Sequence, residues 1–406
     1  MKLTLRAKME VKLFTLVALC TYCVVASEYN CGKRSALLLL KRPAYEFSMR
    51  MLQRVTEETD AHFVYSPVST WLQLSALAEG ADGRTLNEIW RLTRHHKNRC
   101  FKRQLSGILN RLNFELRFVM KRKSVIAIDK LMAVKKKYIR DITKLYGINV
   151  LLLAFNEPEK SAREVNQMIE DGTDGVINRI LYYDDFNATV LLMSDASYFR
   201  SDWKTPFTSV GVQPFYSRKG DKIGEVSMMN QVGQFNIVDF PHIGATVLEV
   251  PCASRRIAML VFLPQEKFWV SDIFYNLQTT RLTSIFNMYK RQGPQLVNVT
   301  IPRFKQRSEI ENLPELVYDM GIRRIFDPNA AEFKGISKFR LYASLMTQIT
   351  DIEVNEKGVT ASANSLVRNN GSAIEFLANK PFAYVIVDRV TDFILYAGIY
   401  SSPSVI

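Results

Sequence analysis

The stretch EVNEKGVTASANS occupies residues 353–365, about twenty residues before a C-terminal run of strand-like sequence. It begins as a strand and continues into small residues. With a period of two, one face carries Val359, Ala361, Ala363 and Ser365, and the opposite face is mostly polar. Such a segment fits an exposed loop, or it fits an added strand in a narrow gap of a sheet. Taken alone, its composition favours the loop.

The N-terminus has the pattern of a secretory signal. Residues 13–26, LFTLVALCTYCVVA, form an apolar run that follows Lys8 and Lys12. The run is too short to span a bilayer, and small residues near Ala26 and Ser27 suit a signal peptidase. We therefore expect residues 1–27 to be removed, leaving a secreted, extracellular protein without a membrane span. Residues 28–406 are expected to form a single domain.

The cysteines and histidines do not suggest a cofactor. Removal of the signal leaves Cys31, Cys100 and Cys252, so at most one disulfide can form and all three can equally be free. The four histidines are scattered, and no CxxC or HExxH spacing occurs. The sequence predicts no metal and no cofactor.

Positive charge is concentrated in one window. Residues 91–140 hold sixteen Lys and Arg against Glu115 and Asp129, a net charge equal to the +14 of the whole chain. In a secreted protein such a surface suits a sulfated glycosaminoglycan rather than nucleic acid, although a solvated surface without a ligand is the alternative. The candidate contacts are Arg99, Lys102, Arg103, Lys121, Arg122, Lys123, Lys135, Lys136 and Lys137.

Helical patterns dominate the first part of the chain and strand patterns the rest. Helices are predicted at 47–55, 67–78, 85–92, 101–112 and 161–170. Strands are predicted at 124–134, 149–155, 189–199, 246–250, 257–263, 295–302, 347–355, 382–387 and 393–399. With neither a linker nor a repeat, this order indicates one α+β domain.

Several ordered segments together resemble the serpin family over nearly all of the mature chain. They are FVYSPVSTWLQLSALAEGADGRTLNEI (63–89), VLLMSDASYFRSDWKTPF (190–207) with Trp203, VSMMNQVGQF (226–235), LEVPC (248–252), IAMLVFLP (257–264), IPRFK (301–305), FKGIS (333–337) and FLANKPFAYVIVDRVTDFILYAGIYSSP (376–403). The resemblance implies a fold of three β-sheets and eight or nine helices. It also implies an exposed reactive-centre loop at about 356–376, and we expect a secreted member from an arthropod.

The resemblance assigns residues 353–365 to the hinge of that loop. Inhibitory serpins are attacked by a serine protease, form an acyl-enzyme and insert the cut loop as an added strand of the central sheet, which distorts the protease. The hinge residues are Glu356, Lys357, Gly358, Val359, Thr360, Ala361, Ser362 and Ala363. The face that would turn inward carries no charge, no proline and nothing larger than Val, so it is compatible with insertion.

Further positions follow from the same resemblance. Arg303 and Glu356 match an ion pair at the top of the sheet, and Ser66 and Ser69 match serines beneath the region where the sheet opens. Two residues depart from the pattern. Asp195 stands where most serpins have Asn, and Gln348 where they have a buried His, so Asp195 is expected to be hydrogen-bonded or exposed.

The scissile bond has four candidate residues. Counting seventeen residues with Glu356 as the first gives Ser372, and counting back from Pro381 gives about Asn370, with Gly371 between them. Arg368 would attract trypsin-like proteases, but it leaves only thirteen residues for insertion. The loop is therefore one or two residues short. Asn370 is also a glycosylation sequon, as are Asn187 and the strand residue Asn298, which we expect to be inaccessible.

Two functions follow from these observations. The first is a suicide-substrate inhibitor of a serine endopeptidase that acts as a monomer, which the insertable hinge favours. The second is a non-inhibitory extracellular binding protein, with glycosaminoglycans as ligands of the basic window. An enzyme is not predicted, because no Ser/His/Asp set and no paired acid motif occurs in the sequence.

Overall fold

The helix at Pro67–Ala78 shows how strongly the sequence drives this fold, because all twelve of its residues are buried. Proline at its first turn lacks only an amide hydrogen that has no partner inside the helix. In the computed structural model, the described residues are 32–94, 99–254, 256–359 and 372–405, without the side chains of 99 and 100. Within these ranges, no helix combines the length and apolarity needed to cross a bilayer.

The described residues contain nine α-helices. They are α1 (Lys33–Glu58), α2 (Pro67–Ala78), α3 (Gly83–Thr93), α4 (Arg99–Leu116), α5 (Lys136–Tyr146), α6 (Pro158–Gly172), α7 (Ile273–Leu277), α8 (Leu282–Gln292) and α9 (Leu313–Asp319). All five predicted helices are present, although α1 begins fourteen residues before the predicted start at 47. The helices α7, α8 and α9 were not predicted.

Fourteen strands accompany them in the same part of the chain. They are β1 (Phe63–Tyr65), β2 (Met120–Asp129), β3 (Asn149–Leu153), β4 (Leu191–Arg200), β5 (Thr208–Tyr216), β6 (Lys222–Phe240), β7 (Ala245–Pro251), β8 (Ile257–Pro264), β9 (Gln295–Pro302), β10 (Phe304–Ile310), β11 (Leu345–Val354), β12 (Ile374–Leu377), β13 (Phe382–Asp388) and β14 (Phe393–Tyr400). The predicted strand 124–134 instead ends at Asp129, where the Asp129 side chain accepts a hydrogen bond from Leu131 and starts a 3₁₀ turn.

The strands form the three expected sheets. The central sheet has five strands in the order β10-β11-β4-β2-β3. The other two sheets share the long strand β6, which pairs with β5 and β9 along one part and with β7 along the other. They therefore form one continuous nine-stranded surface. The α+β fold is confirmed.

The main core lies between the helices and these sheets. Every residue of β13 and β14 is buried, as an apolar strand in the interior of a sheet requires. In the central sheet, alternate residues of β4 face two different cores: Leu191, Met193 and Phe199 face the larger one, and Leu192 and Ala196 face a smaller one beside α6. The middle strands of the central sheet are thus covered on both faces where α6 lies over them, whereas Arg200 at the end of β4 is exposed. Polar residues in the covered part must find partners inside the protein.

Candidate functional site at the sheet seam and hinge

The strands β4 and β11 are neighbours in the central sheet and run parallel. Their register extends over nine pairs, from Leu192 opposite Leu345 to Arg200 opposite Glu353. We call this contact the seam. Because β11 leads directly into the hinge, a chain that reverses after β11 and enters the seam would lie antiparallel to both strands. Insertion would replace one parallel ladder by two antiparallel ladders, which are slightly more stable for each residue pair.

The start of the hinge is already bound to the chain beyond β4. The Trp203 amide donates to the Lys357 carbonyl at 2.8 Å, and the Val359 amide donates to the Trp203 carbonyl at 3.1 Å. The Phe207 amide donates to the Glu356 carbonyl at 2.9 Å, and the Trp203 indole donates to the Asn355 carbonyl at 2.6 Å. These bonds hold the hinge beside the exit of β4.

Gly358 permits this close approach. A β-carbon at position 358 would lie 2.3 Å from the backbone nitrogen of Pro206, closer than two such atoms can approach. The next residue, Val359, is 59% exposed and has an open surface around its side chain. Gly358 thus lies against the chain after β4, and the exposed Val359 is still bonded to Trp203 through its amide.

The predicted ion pair between Arg303 and Glu356 is present as a long contact. The Nη1 of Arg303 lies 3.9 Å from the Oε2 of Glu356, with side-chain exposures of 40% and 23%. A second contact of the same length joins Arg200 to Glu353. Exposed pairs of this kind contribute about 0–1 kcal/mol. The two ion pairs therefore contribute little to holding β4 and β11 together.

Buried polar side chains connect the lower seam to the start of α2. Gln348 accepts a hydrogen bond from the Ser66 amide at 2.8 Å and donates to the Ser66 carbonyl at 3.1 Å. The Ser66 hydroxyl lies 3.0 Å from that of Ser69 and donates to the Leu395 carbonyl at 2.8 Å. The predicted sheet-opening residues are thus brought together, and Gln348 ties β11 to α2 rather than to β4.

Asp195 differs from its expected environment. It is fully buried, and neither carboxylate oxygen has a partner in hydrogen-bond geometry within the described residues. Its charge is compensated by Arg122, whose Nη2 lies 2.7 Å from Oδ2, while the Arg122 Nε donates to the Ser69 hydroxyl at 2.9 Å. The expectation of an exposed or hydrogen-bonded Asp195 is wrong, because β2 supplies a buried cation instead.

The ion pair between Arg122 and Asp195 lies on one side of the seam. It joins β2 to β4, and Ser69 joins both to α2. Across the seam, Asp195 faces Gln348 in the register, but Gln348 bonds to α2. One side-chain hydrogen bond does cross, from the Thr347 hydroxyl to the Ser194 hydroxyl at 3.2 Å. Separation of β4 from β11 therefore leaves the buried ion pair intact.

Comparison with known proteins identifies the family. A family model described as Serpin (serine protease inhibitor) matches residues 43–403, nearly the whole chain. The chain belongs to the serpin family. "Serine protease inhibitor 2" of Anopheles gambiae is 25% identical over 383 residues, covering 88% of this chain and 91% of the relative. "Neuroserpin" of Rattus norvegicus is 26% identical over 363 residues, covering 85% and 87%.

Solved serpin structures share the fold. Native protease nexin-1, in a structure with heparin, superposes with a TM-score of 0.80 at 21% identity, covering 91% of this chain and all of that one. The Manduca sexta serpin-12 gives a TM-score of 0.78 at 20% identity, covering 89% and 98%. At these identities the likeness concerns the fold alone.

Most of the reactive loop of this serpin falls outside the described residues. The positions concerned are Thr360, Ala361, Ser362, Ala363, Arg368, Asn370 and Gly371. Among the candidate scissile residues, Ser372 is described, and it is exposed just before β12. The identity of the scissile bond stays a prediction from sequence.

The two described sequons occupy different environments. Asn187 is exposed at the end of a 3₁₀ turn. Asn298 lies in β9, where its amide nitrogen donates to the Glu375 carboxylate at 3.0 Å and its oxygen accepts from Asn230 at 2.7 Å. Asn298 is half-buried, and its inaccessibility to a glycan stays a prediction.

The cations of the basic window differ in exposure and in ion pairing. Arg122 is buried against Asp195 and does not fit the predicted polyanion surface. Lys102 pairs with Glu79, Lys121 pairs with Asp174, and the stem of Lys123 packs over Gly172. The exposed members are Arg103, Lys135, Lys136 and Lys137, on α4 and at the start of α5. Of these, Lys137 pairs with Asp141 at 2.7 Å, and Lys135 donates to the Lys334 carbonyl. The Arg99 side chain lies outside the described residues.

Cofactor chemistry finds no support in the described part of the serpin. No group of three or more His, Cys, Asp or Glu side chains there has the spacing of a metal site. Cys252 is a free, buried thiol, and burial raises its pKa to about 12. A thiol with that pKa is almost entirely protonated at neutral pH and is a poor nucleophile.

Asp351 on β11 should make the stability of the serpin depend on pH. Burial raises the pKa of this carboxyl, the nearby Lys305 and Arg307 lower it, and Glu353 raises it further. A raised native pKa means that the folded state holds the proton more tightly, so this contribution is full below the unfolded pKa of about 3.9 and is lost as pH rises through the native pKa.

We expect Asp351→Asn to raise the urea midpoint of unfolding at pH 7, because it removes the buried carboxylate. The gain should shrink as the pH falls, because the raised pKa lets wild-type Asp351 take up its proton in the folded state. Urea unfolding of both proteins between pH 4 and pH 8 tests this. An equal difference at every pH would show that packing, not ionisation, is responsible.

Proposed function

We propose that this serpin is a secreted suicide-substrate inhibitor of a serine endopeptidase rather than an enzyme. The main support is the closed parallel seam between β4 and β11, because β11 continues directly into the hinge. A protease would cleave the exposed loop and form an acyl-enzyme. The freed hinge would then enter the seam as a new central strand, pulling the attached protease with it.

The geometry supports each step of this proposal. Three of the four bonds that hold the hinge are backbone hydrogen bonds at Trp203 and Phe207, which an entering strand can replace by ladder bonds, and the fourth comes from the Trp203 indole. The buried ion pair of Arg122 and Asp195 does not cross the seam, so opening requires no separation of buried charges. On insertion, the hinge face of Val359, Ala361, Ala363 and Ser365 would bring small uncharged side chains into the gap.

The position of the scissile bond is the less defined part of the proposal. Arg368, Asn370, Gly371 and Ser372 are the candidate residues before the cut. The later positions give a longer inserted strand, and Arg368 gives a trypsin-like specificity. Secretion rests on the leader of residues 1–27. N-terminal sequencing of the secreted protein would show whether the mature chain begins near Ser27.

A panel of serine proteases tests the inhibitory function. The expected result is a covalent complex that survives SDS, formed by at least one protease and absent with the same protease lacking its catalytic serine. Cleavage of the loop should also raise the melting temperature markedly, because insertion converts the seam into two antiparallel ladders. Quantitative cleavage without a complex, and without a rise in melting temperature, would overturn the proposal.

The exposed basic residues favour a second function, binding of a sulfated glycosaminoglycan. Lys135, Lys136 and Lys137 are consecutive and exposed at the start of α5, which packs against α4 with Arg103. A similar solved structure is that of protease nexin-1 with heparin. If the hinge inserts, glycosaminoglycan binding would be a second activity of an inhibitor. If it does not insert, the serpin would be a non-inhibitory binding protein.

Heparin chromatography tests this second function. We expect Lys136→Gln/Lys137→Gln to elute at a clearly lower salt concentration. With two cations fewer, the protein displaces fewer counterions from the polyanion when it binds. The control is Lys290→Gln/Arg291→Gln, which removes two exposed cations from the last turn of α8. Equal shifts in both variants would indicate a response to net charge alone.

A further inference from the structure

A concave site lies outside the seam and the hinge. It is a cavity of about 500 Å³, within the roughly 300–1,000 Å³ range of small-molecule sites. Its lining comes from the loop after α1, the turn between β5 and β6, residues 264–271 after β8, the segment before β13 and Ser401 after β14. None of these residues belongs to β4, β11 or the hinge, so seam opening and this cavity use different parts of the fold.

The wall segments are fixed by backbone contacts. The Ser401 hydroxyl donates to the Ala61 carbonyl at 2.8 Å, and the Gln265 amide donates to the Gly244 carbonyl at 2.9 Å. Gly244 has a φ of +76°, and a β-carbon there would lie 2.2 Å from the ring of Phe268. The ring of Phe268 therefore rests directly on the backbone. A cavity built in this way needs little rearrangement to accept a ligand.

The cavity has a flat aromatic wall. Trp269 is 51% exposed, whereas Trp71 and Trp203 are buried in the core. The Arg218 guanidinium lies over the Trp269 ring, 4.1 Å from its centre, and donates to the Glu266 carbonyl at 2.8 Å. Ile223, with 46% exposure, and Pro381 add apolar surface. Exposing this much apolar surface is costly for the free protein and favourable once a ring covers it.

The polar groups of the cavity limit the charge of the ligand. Arg218 and Lys380 line it as cations, and Asp60 and Glu266 as acids. Arg218 keeps N–H groups besides the one bonded to the Glu266 carbonyl, and the Lys380 ammonium carries three donors. One anionic group can therefore be bound between the cations. The two acids would repel a ligand with several negative charges, such as a polysulfate.

We propose that this cavity binds a small amphipathic anion, a molecule with an aromatic or fused-ring body and one carboxylate or sulfonate group. The ring lies along Trp269 and Ile223, and the anionic group faces Lys380 and Arg218. The proposal is independent of protease inhibition, because no residue of the seam takes part in it.

The dye 8-anilino-1-naphthalenesulfonate has this chemistry and is the probe of choice. Titrated into the intact full-length protein, it should bind saturably at one site and show emission sensitised by Trp269, the exposed tryptophan. Trp269→Ser should weaken binding about tenfold, because the ring loses its stacking surface. The control Phe339→Ser removes another exposed aromatic beside a lysine and should change nothing. Melting temperatures must match, since unfolded protein also binds the dye.

A second probe separates charge recognition from apolar contact. Lys380→Met should weaken the anionic dye about fivefold and leave the neutral N-phenyl-1-naphthylamine within about twofold, and Lys380→Arg should restore the anionic dye. Several weak sites, or unchanged affinity in Trp269→Ser, would overturn the proposal of a site. Equal effects of Lys380→Met on both probes would overturn the assignment of an anionic ligand.

Discussion

Ala361→Glu is expected to convert this serpin from an inhibitor into a substrate. The period of the hinge places Ala361 on the same face as Val359, the last hinge residue before the loop leaves the described structure. Insertion would turn this face into the core beneath the seam. A carboxylate there would be buried without a partner, at a cost of several kcal/mol. Insertion would become slower than hydrolysis of the acyl-enzyme, so the protease would be released instead of trapped.

The measurement is the ratio of SDS-stable complex to cleaved protein with a protease that the wild type traps. For Ala361→Glu we expect cleavage at the normal rate, almost no complex and little gain in melting temperature. The matched control is Ser362→Glu, which places the same charge on the opposite face and should still trap the protease. Loss of trapping in both variants would assign the effect to the loop charge rather than to burial. Trapping by Ala361→Glu would contradict the insertion mechanism.

Arg122→Met is expected to produce the largest loss of stability outside the hydrophobic core. Arg122 and Asp195 have side-chain exposures of 10% and 0%, and the variant leaves the Asp195 charge buried alone. Breaking a buried pair from one side costs about 3–5 kcal/mol. Arg122→Met/Asp195→Asn should recover most of this loss, because Asn carries no charge. Denaturant unfolding of the four proteins in this cycle gives the coupling between the two residues.

Lys121→Met supplies the comparison from the neighbouring position. Lys121 pairs with Asp174 at 3.1 Å, but both side chains are largely solvated at 37% and 54% exposure. Its loss should cost no more than about 1 kcal/mol. If Arg122→Met were as mild as Lys121→Met, the charge of Asp195 would not depend on Arg122. If the double variant were no better than Arg122→Met, packing of the guanidinium would account for the loss.

Period and propensity determined much of the secondary structure. The helix Pro67–Ala78 and the strand Gln295–Pro302 have the predicted bounds, since one starts at a proline and the other is an apolar run that ends at one. The strand β5 was missed although Val210 and Val212 alternate with polar or small residues, because Gly211 and Pro214 are rare inside strands. The helix α8 was missed although its buried residues, Leu282, Ile285 and Tyr289, have helical spacing.

The partner of Asp195 had a signal in the sequence that was not used. With a period of two, Arg122 and Ser124 share a face of β2 with Ile126 and Ile128, which belong to the main core. Asp195 lies on the corresponding face of β4, directly opposite Ser124. Opposite charges on the core faces of adjacent strands predict a buried pair, but only once the two strands are known to be neighbours.

By itself, the sequence determined the α+β class, the family and the small uncharged face of residues 359–365, because these depend on the order and period of residues along the chain. The tertiary structure decided that β4 and β11 meet in a closed parallel seam, that Gly358 lies against Pro206, and that Arg122 is buried beside Asp195. It also assembled the cavity at Trp269 from five separate segments. Each of these features depends on contacts between residues distant in sequence, and the burial that gives them their energies exists only after the chain has folded.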